Sequence, residues 1–245
     1  MATFGLMSLF GYGFNTHLTG HQALILIQLG VFAGLNNSFN YTAIKISVPV
    51  ALLFHYLAPL LVIVWYLVFP IFYKPISYTS VIALFIALAG VIYMALPNLK
   101  EGNRRLVRLG TLSAIFYSLE IVFSGYLSNE LHVPAATSSF TKLFFQAMIM
   151  PIAGVLMGES TKVSDKNDWP KMVLGGVLLY VSFILYFAGS ATVSDLHRGV
   201  LGYIDRIGAI ALGAYFFKNE RAKITKNVWI GGVLILGAGL IILFF

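Results

Sequence analysis

Apolar runs of membrane-spanning length make up most of the chain. Eight segments, each 18 to 24 residues long, are apolar on all sides: 22–44, 49–72, 77–97, 109–128, 135–157, 171–193, 197–217 and 228–245. A helix needs about 20 mostly apolar residues to cross a bilayer, whereas barrel strands would alternate in polarity over about ten residues. The sequence therefore predicts an all-α integral membrane protein, a polytopic helix bundle with about eight transmembrane helices.

Composition supports this fold class and leaves no room for a separate soluble domain. Hydrophobic residues make up 59% of the chain and charged residues only 10%, against about 25% charged residues in soluble domains. The net charge of +7 comes mostly from short loops, so it indicates topology and a lipid bilayer partner, and not a nucleic-acid surface. The absence of cysteine excludes disulfides and thiolate metal ligands, and we expect neither a cofactor nor a metal site.

The second and third segments match the last two in spacing. Tyr56 and Tyr203 lie 147 residues apart, as do Gly90 and Gly237. Weak internal repeats of this kind, often inverted in the membrane, are typical of transporters, although an accidental match in hydropathy would look the same. We predict one membrane domain with two related, inverted repeats, namely a partial first repeat of three helices over 22–97 and a second of five helices over 98–245. Residues 1–21 contain an apolar stretch too short to span, interpreted as an interfacial piece or a helix remnant.

Basic residues are concentrated in alternate loops. The loops after the first, third, fifth and seventh segments contain Lys45; Lys100, Arg104, Arg105 and Arg108; Lys162 and Lys166; and Lys218, Arg221, Lys223 and Lys226. The remaining loops contain only Lys74 and Arg198. The positive-inside rule places the basic loops in the cytoplasm and, with eight spans, both termini outside.

Four ionisable residues fall in the middle of apolar segments, where each charge costs at least about 2.5 kcal/mol. They are Glu120, Lys142, Asp205 and Arg206. Neighbours on a helix do not face each other, so Asp205 and Arg206 need partners elsewhere in the bundle interior. Two pairs, Glu120 with Arg206 and Lys142 with Asp205, are one arrangement that satisfies all four charges.

Other polar residues share helix faces with these charges. Stripes at helical spacing are formed by Ser113, Tyr117, Glu120 and Ser124, by Ser138, Lys142 and Gln146, and by Asn36 and Asn40. Their convergence would form a polar cavity, while hydrogen bonds between helices are an equal alternative for the uncharged members. By contrast, "GVFAG" at 30–34 indicates close helix packing, and His55 is expected to pack beside Tyr56.

The C-terminal stretch "FFKNERAKITKNVWIGGVLILGAGLIIL" resembles the closing helix pair of the EamA-like branch of the drug/metabolite transporter superfamily, with a turn Glu at Glu220 and a later Gly at Gly237. "ALLFHYLAPLLVIVWYL" is similar to the family's fourth helix, including a mid-helix proline at Pro59. The resemblance implies ten helices in two halves, and this chain then lacks the first two. It also implies that both termini lie in the cytoplasm, whereas the distribution of basic residues places them outside. In the second repeat, Arg206 occupies the position that corresponds to Pro59, where the family usually has a proline.

We therefore expect a secondary transporter of a small organic metabolite or drug-like compound in the cell membrane. It would work by alternating access, with protons coupled through Glu120. The predicted substrate and proton site comprises Glu120, Lys142, Asp205, Arg206, Asn36, Asn40, Tyr117 and Tyr203. The alternatives are a non-transporting assembly subunit or degenerate family member, and a membrane-embedded enzyme; a homodimer is compatible with each.

Overall fold

The computed structural model describes residues 17–46, 51, 54–55, 57–69, 71, 77–95, 104–158, 169–190 and 226–244. Over this part the chain forms seven helices: α1 Gly20–Ile46, α2 Ala58–Val68, α3 Tyr78–Ala95, α4 Arg104–Asn129, α5 Ala135–Leu156, α6 Trp169–Ser190 and α7 Lys226–Phe244. They correspond to seven of the eight predicted segments, and 197–217 lies outside the described residues. The protein is an all-α integral membrane protein, as its apolar segments predicted.

Within the described ranges, α1, α4 and α5 are long and apolar enough to cross a membrane, and the other four contain shorter apolar stretches. One local expectation is wrong. Pro59 was expected in the middle of a helix, but α2 begins at Ala58 and Pro59 lies in its first turn. Proline lacks the N–H that an interior helical position must donate, whereas the first turn does not need it.

Side chains cap the N-terminal ends of α1 and α3. Thr19 Oγ1 accepts a hydrogen bond from the Gln22 N–H at 3.2 Å, and Gln22 Oε1 accepts one from the Thr19 N–H at 2.9 Å. This reciprocal pair is a capping box. At the start of α3, Ser77 Oγ accepts a hydrogen bond from the Ser80 N–H at 3.1 Å and acts as a simple N-cap.

The chain separates into two compact units, each drawn from distant parts of the sequence. Unit 1 contains residues 1–38 and 122–193, and unit 2 contains residues 39–121 and 194–245. The predicted boundary between repeats, at residue 97, stays a prediction, because compact units and sequence repeats are different divisions of the chain.

In unit 1, α1 packs closely on α5 through its two glycines. A Cβ atom at Gly30 would overlap Cβ of Phe145 and lie 3.2 Å from the carbonyl oxygen of Lys142. A Cβ atom at Gly34 would lie 2.7 Å from Cβ of Ile149. The close packing predicted from the glycine spacing is confirmed, and it fixes the backbone of α5 at Lys142.

The start of α1 is also tied to the end of α4 in unit 1. Gln22 Nε2 donates to the carbonyl oxygen of Leu131 at 3.1 Å. The rings of His21 and Tyr126 meet edge to face, with centroids 6.0 Å apart. Further along, Phe32 and Phe123 meet in the same way at 5.2 Å. A hydrogen bond and two aromatic contacts therefore hold the first part of α1 against the last part of α4.

In unit 2, α3 packs against α7. A Cβ atom at Gly90 would lie 2.7 Å from the carbonyl oxygen of Gly231, and Asn227 Nδ2 donates to the carbonyl oxygen of Tyr93 at 3.4 Å. These two helices are counterparts in the predicted repeat. Their glycines are not equivalent in packing, because a Cβ atom at Gly237 would meet nothing within 4 Å.

Candidate functional site

A stripe of polar side chains runs along the buried face of α5 in unit 1. Ser138, Lys142 and Gln146 lie four residues apart, which places them above one another on the same side of the helix. All three are buried, and Lys142 is only 1% exposed. The predicted polar face is therefore confirmed as an interior face, with a cationic group at its centre.

The ammonium group of Lys142 lies among aromatic rings supplied by α6. Its Nζ is 3.6 Å from the ring centroid of Phe183, 5.8 Å from that of Tyr186 and 5.9 Å from that of Phe187. The negative face of an aromatic ring attracts a cation within about 6 Å. The rings therefore offset part of the free-energy cost of moving the ammonium group out of water.

A further polar group lies on the face of α6 that carries Phe183. Tyr180 precedes Phe183 by three residues, so the two lie on the same side of the helix. Tyr180 is itself buried.

Three buried polar atoms of unit 1 have no hydrogen-bond partner among the residues that the structure describes. They are Ser138 Oγ, Gln146 Oε1 and Tyr180 Oη. Gln146 still donates through Nε2 to Met150 Sδ at 3.5 Å, a weak contact. Because buried polar groups are nearly always paired in folded proteins, these three side-chain atoms are exceptions in unit 1 within the described ranges.

Unit 2 contains a second polar cluster, on α4. Glu120 is 7% exposed and shares the helix face of Ser113 and Tyr117. His55 stacks on Tyr117 with ring centroids 4.0 Å apart and planes 15° apart, and its Nδ1 lies 3.4 Å from Ser113 Oγ. The expectation that His55 packs rather than binds is consistent with this stacking, but the described partner is Tyr117; Tyr56 lies outside the described residues.

In unit 2, a partly buried hydrogen bond joins α2 to α4. Trp65 Nε1 donates to Ser118 Oγ at 2.7 Å, and Ser118 Oγ donates to the carbonyl oxygen of Ile115 at 2.7 Å. Asn40, also predicted for the site, is buried in unit 2, and its Oδ1 has no hydrogen-bond partner within the described ranges. Asn36 is buried in unit 1.

Three predicted site residues, Tyr203, Asp205 and Arg206, lie outside the described residues. The pairs Glu120 with Arg206 and Lys142 with Asp205 therefore stay predictions. Sequence reasoning missed the aromatic partners of Lys142 and the hydroxyl of Tyr180. Tyr180, Phe183 and Phe187 share one face of α6 by their spacing, but α6 is apolar on all sides, so the spacing did not single out this face.

A bundle of apolar helices that buries an ammonium group and a carboxyl group defines an integral membrane protein with polar groups inside its spans. The sequence profile of the EamA-like transporter family matches residues 106–244. This match covers more than half of the chain, and the chain belongs to the EamA-like transporter family, within the drug/metabolite transporter superfamily.

The fold is similar to that of a solved structure. A chain described only as a protein crystal structure superposes with a TM-score of 0.73 at 18% sequence identity, covering 98% of this chain and 80% of that chain. At this identity the likeness shows the fold alone. No curated protein matches the chain.

Proposed function

We propose that the protein is a secondary transporter that moves a small organic metabolite or drug-like compound across the cell membrane by alternating access, and that it acts as a transporter rather than as an enzyme. The proposal rests on one observation: two spans each bury an ionisable side chain near the middle, Glu120 in α4 and Lys142 in α5. Ionisable groups inside a membrane are costly and mark substrate or ion pathways. Membership of the EamA-like family supports the same function.

We assign the two groups different roles. Glu120 carries the coupling proton, because carboxyl groups inside membrane spans form proton relays in pumps and transporters. Lys142 belongs to the substrate site, because its charge is held in a fixed aromatic setting. Asn36, Asn40, Tyr117, Tyr203, Asp205 and Arg206 complete the proposed set.

Efflux from reconstituted liposomes tests this function. Liposomes containing the purified protein are loaded with a mixture of amino acids, organic acids, organic amines and neutral drug-like compounds, and mass spectrometry follows what appears outside. Protein-free liposomes and liposomes with heat-denatured protein are the controls. We expect efflux of at least one compound class only with folded protein, faster under an inward proton gradient. Equal efflux in all three preparations would overturn the proposal.

A further inference from the structure

We propose that the outward face at the start of α4 binds one anionic phospholipid. Its phosphate group lies against Arg104 and Arg108, and an acyl chain follows Leu112 into the bilayer. Both arginines are exposed, all three residues belong to unit 2, and Leu112 is 38% exposed. The inference concerns a specific lipid at a fixed place on the protein, and it holds whether or not the protein transports a solute.

The packing of α4 determines which face of its first turns points outward. Leu106 is 1% exposed, and a Cβ atom at Gly110 would lie 2.6 Å from the ring of Phe54. Residues four apart lie on one side of a helix, so Leu106 and Gly110 mark the buried side. Arg104 and Arg108 are each offset from them by two residues, which is just over half a turn. The two arginines therefore lie on the side that faces away from the protein interior.

The outward face changes from cationic to apolar within one helical turn. Arg104, Arg108 and Leu112 follow one another at intervals of four residues, which is about 6 Å along the helix axis. Val107, three residues after Arg104, is 45% exposed on the same side. The same change occurs across the surface of a bilayer, from polar headgroups to hydrocarbon chains. A free phosphate ion would contact only the cationic part of this face, whereas a phospholipid contacts both parts.

The charges of the two arginines select an anionic headgroup. Like charges four residues apart repel each other on a helix, and the N-terminal end of the helix dipole disfavours a cation. The first turn of α4 contains no acidic residue. A phosphate group accepts paired hydrogen bonds from a guanidinium group, so a phosphate bound between Arg104 and Arg108 offsets both costs. A zwitterionic headgroup carries its own cation beside the phosphate, and a lipid with a net negative charge is therefore favoured.

Native mass spectrometry of the delipidated full chain measures this binding directly. The protein is mixed with equal amounts of phosphatidylglycerol and phosphatidylcholine that have identical acyl chains, with and without inorganic phosphate as a competitor. We expect the first bound lipid to be phosphatidylglycerol by about 25-fold, because each interfacial arginine contributes about fivefold, and phosphate to displace it poorly. Equal occupancy by the two lipids would overturn the proposal. Displacement by phosphate at the concentration of the lipid would show a simple anion site and would also overturn it.

Variants separate lipid binding from structure and from net charge. Arg104→Gln and Arg108→Gln should each lower the preference for phosphatidylglycerol about fivefold. Lys226→Gln removes the same charge at the exposed first residue of α7 and should preserve the preference. In phosphatidylcholine nanodiscs, Arg108→Gln should keep or raise the unfolding temperature, because it relieves the repulsion between the two arginines. An equal loss of preference in Lys226→Gln, or a lower unfolding temperature of Arg108→Gln with unchanged preference, would overturn the site.

An ion pair with Glu101 is the structural alternative for these arginines. Glu101 precedes α4 in the sequence and lies outside the described residues. If it neutralises Arg108, then Arg108→Gln lowers the unfolding temperature in both lipids, and the double variant Glu101→Gln, Arg108→Gln restores it. That result would overturn the lipid site. The lipid site predicts instead that Glu101→Gln keeps or raises the preference for phosphatidylglycerol, because it removes a competing anion, and that Arg108→Gln still lowers this preference in the Glu101→Gln background.

Discussion

Lys142 of α5 places its ammonium nitrogen 3.6 Å from the ring centroid of Phe183 of α6. A desolvated contact of this kind contributes about 2 kcal/mol, which is large beside a single hydrogen bond between membrane helices. The pair therefore links the two helices and fixes a cation at one depth in unit 1.

Replacing the ring tests this contact. Phe183→Leu should lower the free energy of unfolding by about 1–2 kcal/mol, because the ammonium loses its nearest ring face, whereas Phe183→Tyr keeps a ring and should cost less. Equilibrium unfolding in mixed micelles measures both. In a Lys142→Met background the cost of Phe183→Leu should fall; an unchanged cost would show that the ring contributes only apolar packing.

The glycines of α1 allow a matched pair of substitutions. Gly34→Ala should destabilise the protein by about 1–3 kcal/mol, because the added methyl group meets Ile149 at 2.7 Å. Gly175→Ala in α6 makes the same chemical change where nothing lies within 4 Å. It should leave stability unchanged or raise it by about 0.5–1 kcal/mol through helix propensity. Similar losses at both positions would contradict the packing of α1 on α5.

The Trp65–Ser118 hydrogen bond predicts that substitutions of the two residues are energetically coupled. Ser118→Ala leaves the indole N–H without its described acceptor. It should cost about 0.6 kcal/mol, the average for hydrogen bonds between membrane helices, and at most about 1.7 kcal/mol. Trp65→Phe in the Ser118→Ala background removes the stranded donor, so its additional cost should be smaller than the cost of Trp65→Phe alone. A double-mutant cycle on thermal unfolding reports this coupling, and strict additivity would show that the bond contributes nothing.

Orientation in the membrane can be tested across a single helix. Helix α4 has 26 residues, so it is about 39 Å long and its ends lie on opposite sides of a bilayer. The native chain has no cysteine, so Arg104→Cys and Glu130→Cys each introduce a single thiol at an exposed position. The basic loop before α4 predicts that, in intact cells, an impermeant reagent labels Glu130→Cys and not Arg104→Cys. The reverse pattern would agree with the usual family orientation.

The sequence predicts the side of a helix that is buried better than it predicts the partner that covers it. The spacing of Ser138, Lys142 and Gln146 identified an interior face, and the spacing of Gly30 and Gly34 identified a close helix contact. The rings around Lys142 could not be assigned, because α6 is apolar on all sides and any of its faces could meet α5. Pro59 was misplaced because hydropathy does not show where one helix ends and the next begins.

The most direct test of the central claim is efflux by a folded variant that lacks the predicted charge pair of Glu120 and Arg206. Glu120→Gln alone would strand the arginine if the pair exists, so the variant Glu120→Gln, Arg206→Gln is measured. The matched control is Glu130→Gln, at an exposed position just after the last residue of α4. We predict that the double variant folds, keeps its thermal unfolding temperature and loses proton-driven efflux, while Glu130→Gln transports normally. Normal efflux by the folded double variant would contradict the account, because the buried carboxyl group would then serve the fold and not transport.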